Sequence, residues 1–149
     1  MPDPTLYDRD FYGWANEQAT LLRAGKLFAA DIVHIAEEIE SMGRSEQDQL
    51  ESRLIVLLLH LLKWQFQPGL HGNSWRLSIK EQRRKISRHL KRNPSLKSVL
   101  SESVNDAYGD ALIEAERETG LPEQTFPAEC PWTFAQFMAE DFWPEAASH

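Results

Sequence analysis

One cysteine, Cys130, is the only thiol in 149 residues, so no intrachain disulfide can form. That usage fits a reducing compartment. A chain of this length buries an ordinary core without disulfide or metal staples. No apolar run is long: Leu54–Leu62, bracketed by Arg53 and Lys63, falls far short of the roughly 20 residues a bilayer crossing needs. The opening "MPDPTLYDRDFYGW" is acidic and has no apolar signal core, so a cytoplasmic location with no membrane partner is expected. Also missing are Gly-x-Ser-x-Gly, a glycine-rich phosphate loop and zinc-type Cys/His spacing. Internal repeats, low-complexity tracts and strand pairs with hairpin turns are absent too. What remains, 42% apolar and 26% charged residues, is the composition of a soluble globular protein.

Helical periodicity dominates. From about Asp8 to Ala24, Phe11, Trp14, Ala15, Gln18, Leu21 and Leu22 recur at helical spacing, with Asp8 as N-cap and Gly25 as stop. A second pattern starts near Asp31 and places Ile32, Ile35, Ala36, Ile39 and Met42 on one face. An unbroken helix from Asp31 to Phe66 would be about 54 Å long, against a radius of gyration of about 15 Å for a compact chain of this size. A break or kink at Gly43 is therefore expected, with "SEQD" at Ser45–Asp48 as a capping box. Residues 54–62 are apolar on every side and read as a central, enclosed helix. After the loop "QPGLHGN", a third helix begins near Ser74 with Trp75, Ile79, Gln82, Ile86 and Leu90 inward.

Asn93 is expected to cap the next helix and Pro94 to occupy its first position. That helix turns Leu96, Leu100, Val104, Ala107, Tyr108, Ala111 and Ala115 inward and ends at Gly120 and Pro122. The tail contains Pro122, Pro127, Pro131 and Pro144, so it cannot be one helix. Thr133 can cap a short helix through about Asp141, and Trp132, Phe134, Phe137, Phe142 and Trp143 make the tail too apolar to hang in solvent. The expectation is an all-α fold: a single helical domain over 1–149, a bundle of four to five helices with a proline- and aromatic-rich C-terminal strap over 121–145. Residues 1–5 are expected to be disordered.

Charge is divided unevenly. Between Arg76 and Lys97 stand nine Lys or Arg and one acid, Glu81; the remaining seven cations and twenty-two acids leave −15 elsewhere. Lys80, Arg84, Arg88, Lys91 and Arg92 form a candidate basic face, with Lys85 beside it and Trp75-Arg76 before it. Such an arc can follow a phosphate backbone by counterion release, although the acidic remainder repels nucleic acid. It can equally meet acids of this chain, Glu102, Asp106, Asp110, Glu114 and Glu118, within a monomer or between copies, or an acidic partner protein. A plain solvated face is the third option.

Two smaller constellations carry chemistry. His60 sits in "RLIVLLLHLLKWQF", where enclosure favours its neutral form. The plain reading is a core histidine bonded to a backbone carbonyl, or to a side chain from another helix, with Trp64 one turn on. The other reading is a hydrolase or metal protein centred on it. Asp31, His34 and Glu38, at i, i+3 and i+7, share one helical sector and offer metal-ligand atoms, yet di-metal bundles need Glu-x-x-His from two helices. Asp31-Ile-Val-His34 is the chain's single acid-x-x-His, and a solvated helix edge is favoured. Cys130, between Glu129 and Pro131, lacks the cationic surroundings of a reactive thiol.

The blocks "LYDRDFYGWANEQATLLRAG", "EEIESMGRSE", "LESRLIVLLLHLLKWQFQP", "SWRLSIKEQRRKI", "NPSL" and "ETGLPEQTFPAECPWT…EDFWP" together resemble the bacterial domain-of-unknown-function family 29 over about Leu6 to Pro144. The resemblance implies an all-helical fold; it brings with it no established activity, cofactor or catalytic residue. Its pattern includes His60, Lys63, Trp64 and Trp75 without giving them a role, and leaves out Asp31 and His34. The functional expectation is an interaction or regulatory module without cofactor. Nucleic-acid binding through 76–97 is the alternative, and a His60-centred hydrolase or metal protein the second.

Overall fold

The structure is a computed structural model that describes residues 5–147. Among the described residues it has six α-helices, α1 (Leu6–Arg9), α2 (Phe11–Arg23), α3 (Ile32–Phe66), α4 (Asn73–Arg92), α5 (Leu100–Thr119) and α6 (Phe134–Met138), and no strand. The fold is all-α. Its contacts gather into two compact units, Met1–Ser45 and Glu46–His149, and the boundary falls inside α3. The disorder expected for residues 1–5 lies outside the described residues, except at Thr5, whose hydroxyl accepts from the Asp8 N–H to cap α1.

The first pattern splits. Asp10, not Asp8, caps α2: its carboxylate accepts the Gly13 N–H, and the chain turns there. Gly25, at φ 71°, provides the left-handed residue that ends the segment, a conformation that suits glycine. The break expected at Gly43 does not occur. α3 runs through it for 35 residues, and Ser45–Asp48 stay helical rather than forming a cap. No proline separates Pro4 from Pro68. A lone interior glycine costs only about 1 kcal/mol, which well-formed turns on both sides override.

The Glu46–His149 unit is built around the C-terminal half of α3. Leu50, Leu54, Leu57, Leu58, Leu61 and Leu62 are wholly buried, each contributing about 1.5–3 kcal/mol of burial. They meet Ile79, Ile86 and Leu90 of α4, the small-residue stripe Ala107, Ala111 and Ala115 of α5, and Phe126 and Phe137 of the tail. Asn93 does not cap α5. Pro94 opens a 3₁₀ segment, Pro94–Val99, and the α-helix starts at Leu100, while the Asn93 amide donates back to the His89 carbonyl at 3.1 Å. Gly120 ends α5 at φ 76°. Thr133 forms a capping box with Gln136 on α6, which stops at Met138.

The tail is held by three devices. The Tyr108 hydroxyl donates to the Pro127 carbonyl at 2.6 Å. Trp143 packs on Trp64 with ring centroids 4.5 Å apart. Arg83 of α4, only 4% exposed, donates to three tail carbonyls: Nε to Phe137 at 2.8 Å, Nη2 to Phe142 at 2.6 Å and, more loosely, Nη1 to Glu140 at 3.4 Å.

Candidate binding cleft

Residues one helical turn apart share a face, and on α4 that spacing lines up Arg76, Lys80, Arg84, Arg88 and Lys91. They edge an open cleft of about 870 Å³, which Lys97 of the 3₁₀ segment also lines. Leu90, Phe134, Met138 and Trp143 supply apolar lining, and Glu140 is the single acid. Arg83 also borders it, but its guanidinium is committed to the tail carbonyls and stacks over Trp143 at 5.3 Å. Arg83 thus builds the cleft, positioning the stretch that supplies Met138, Glu140 and Trp143.

The basic face is not neutralised by direct ion pairs among the described residues. Among the described residues, none of Arg76, Lys80, Arg84, Arg88, Lys91 and Lys97 makes an ion pair; of the lysines and arginines on this helix Lys85 alone does so, with Glu81, while His89 lies 3.4 Å from Glu46. The acids of α5 have other neighbours. Glu118 lies 3.6 Å from the buried Lys63, and Glu114 bonds Arg117. Burial and the carboxylates of Asp106, Asp48, Asp110 and Glu102 push the Glu51 carboxyl above its ordinary pKa. Like charges at i, i+4 cost a few tenths of a kcal/mol per pair, and α4 carries them in succession at 76, 80, 84 and 88.

Of the basic residues singled out from sequence, Lys80, Arg84, Arg88 and Lys91 line the cleft and Arg92 does not. Arg92 is one position, about 100°, beyond Lys91. Arg76, noted as preceding that face, continues the same spacing backwards; missed were Arg83, hidden between the inward positions Ile79 and Ile86, and the place in the cleft of Lys97 and the tail residues, which only tertiary folding brings in. Trp64 and Trp75 stand outside the lining. Trp64 is stacked against His71 at 3.7 Å, and the Lys63 ammonium sits 4.7 Å over Trp75.

His60 is half-buried rather than enclosed, and its Nδ1 donates to the Val56 carbonyl at 2.7 Å, one turn back on its own helix. Burial, then the nearby Lys63, lowers its pKa, opposed by the Val56 bond. In the Met1–Ser45 unit, His34 Nδ1 donates to Asp31 Oδ2 at 2.7 Å, and the same oxygen accepts from Trp14 Nε1 at 3.0 Å. Tyr7 stacks on His34 at 4.0 Å and its hydroxyl bonds Glu38. Asp31 and His34 are therefore brought together as a dyad, with Glu38 engaged by tyrosine. Among the described residues, no three His, Cys, Asp or Glu side chains gather as a metal-binding group, and no helix is long and apolar enough to cross a membrane.

No curated protein and no solved structure matches this chain. A family model, described as Domain of unknown function DUF29, matches residues 6–143, and the chain belongs to that family.

Proposed function

We propose that the protein is an interaction module whose α4 cleft receives an acidic segment of a partner protein. The observation carrying this reading is a concave site of about 870 Å³ edged by six cations without an intramolecular ion pair and floored by aromatic and aliphatic side chains. An amphipathic acidic segment uses both parts: its carboxylates meet the rim, and its apolar side chains cover Leu90, Phe134 and Met138. A phosphate backbone uses the rim alone and, beyond the cleft, meets a surface with a large excess of acid. The lone, half-buried Cys130, whose thiol pKa is raised by burial, suits a reducing cytoplasmic setting.

Fluorescence anisotropy tests this with two labelled probes, a Glu/Leu-rich 12-residue peptide and a single-stranded oligonucleotide of equal charge. The peptide should bind more tightly. Lys80→Glu/Arg84→Glu/Arg88→Glu should weaken it by about tenfold or more, since exposed pairs contribute up to about 1 kcal/mol each. Tighter oligonucleotide binding, with a salt slope reduced in the triple variant, replaces the proposal with nucleic-acid recognition. Binding of neither probe ends it.

A further inference from the structure

Nine of the twelve exposed large apolar side chains among the described residues belong to the Met1–Ser45 unit, whose own buried residues are only Trp14 and Gln18. On α3 this surprises, because periodicity assigns Ile32, Ile39 and Met42 to the core. They are instead 53%, 62% and 68% exposed, as is Val33 at 68%. The α1 and α2 segments lie against the Asp31, His34 and Glu38 side of the helix, leaving this face bare. Its central stripe reads Ile32, Ala36, Ile39, Gly43, spaced 4, 3 and 4, which is a heptad seam. Large and small residues alternate along it.

We propose that this face is a dimer interface, paired antiparallel with the same face of a second copy. The sequence is self-complementary in that direction alone. Placing Ile32 opposite its partner's Gly43 also places Ile39 opposite its partner's Ala36, and the two-fold axis that relates one contact relates the other. Each isoleucine enters a hole left by a small residue. Parallel pairing would set isoleucine against isoleucine and glycine against glycine, wasting the alternation. Met42 comes beside its partner's half-buried Ile35, while Glu37 and Glu38 stay off the seam.

Gly43 gains a reason. A Cβ added there meets nothing within 4 Å in its own chain, so nothing intramolecular requires glycine at a position where it costs about 1 kcal/mol. At about 200 Å² per large side chain, the four exposed α3 residues Ile32, Val33, Ile39 and Met42 present on the order of 500 Å² of apolar surface, more than half of the roughly 800 Å² per partner in a standard interface. A unit of about 40 residues with so small a core commonly relies on oligomerisation. The pairing is independent of the α4 cleft.

Sedimentation velocity on the full chain reads the prediction. Wild type should be dimeric at micromolar concentration. Gly43→Leu should be monomeric although its helix propensity rises, and the exposed-site change Ile39→Glu should be monomeric with an unchanged circular dichroism spectrum. In a Cys130→Ser background, Ile32→Cys mixed with Gly43→Cys should oxidise to a disulfide between the two variants, while neither forms one alone. A monomeric wild type, a dimer that survives both seam variants, or an Ile32→Cys chain that links to itself would each overturn the proposal.

Discussion

Replacing Arg83 with methionine should cost the protein about 3 kcal/mol. The guanidinium makes two bonds of ordinary length, to the carbonyls of Phe137 and Phe142, and a long one to Glu140. Bonds from a charged donor contribute about 1.5–3 kcal/mol each, and the stacking on Trp143 adds roughly 0.5–2 kcal/mol. Against this, burial lowers the Arg83 pKa, which marks a charge partly stripped of water, so removing it returns part of the gain. Methionine fills most of the same volume and leaves little cavity.

For a chain of 149 residues the loss corresponds to a fall in Tm of about 10 °C. Arg83→Lys should lose nearly as much, because a point charge cannot reach carbonyls spread along the tail. Urea unfolding followed by tryptophan fluorescence gives the free energy, and hydrogen exchange at residues 137–143 reports whether the tail opens first. A change below about 0.5 kcal/mol, or a stabilised Arg83→Met with an unaltered exchange pattern, refutes the claim that Arg83 holds the strap.

Ser103 lies on the α5 stripe with Ala107 and Ala111, fully buried, and its hydroxyl has no hydrogen-bond partner among the described residues. Ser103→Ala should raise stability by about 1 kcal/mol, and a loss in urea unfolding would reveal a partner for the hydroxyl. For the Asp31–His34 dyad, the hydrogen bond between them holds the Asp31 carboxyl below and the His34 imidazole above their ordinary pKa values. Asp31 therefore stabilises above the usual carboxylate range, and this is lost as pH falls through its lowered value. His34 stabilises below about 6.5, and this is lost as pH rises through its raised value, so the dyad is firmest between. An NMR titration should place His34 above the usual histidine value and Asp31→Asn should bring it down; a wild-type value at or under 6.5 contradicts the geometry.

Most helices were legible because their signals are local: the Ile79, Ile86 and Leu90 stripe of α4, the left-handed glycine at 120, the Thr133 cap. Where competing signals met, position alone misled. Gly43 reads as a breaker, but breaking a helix needs more than one residue's weak preference. Ile32, Ile39 and Met42 read as core because periodicity identifies an apolar face without saying what covers it. Asn93-Pro94 reads as a helix start, whereas the turn first tightens into 3₁₀ form. Most of the cleft's basic rim was visible in the spacing 80, 84, 88, 91. Phe134, Met138 and Trp143 were not, since they arrive from some fifty residues away through the bonds of Arg83, which the sequence shows only as one of nine cations between Arg76 and Lys97.

The cleft itself is most directly tested by ¹H–¹⁵N NMR titration of the protein with the acidic amphipathic peptide. Saturable shifts should concentrate on the amides of Lys80, Arg84, Arg88 and Met138 and on the Trp143 indole, and should vanish at high salt. Shifts confined to α5 or to the Met1–Ser45 unit, with the α4 resonances unmoved, would contradict the account.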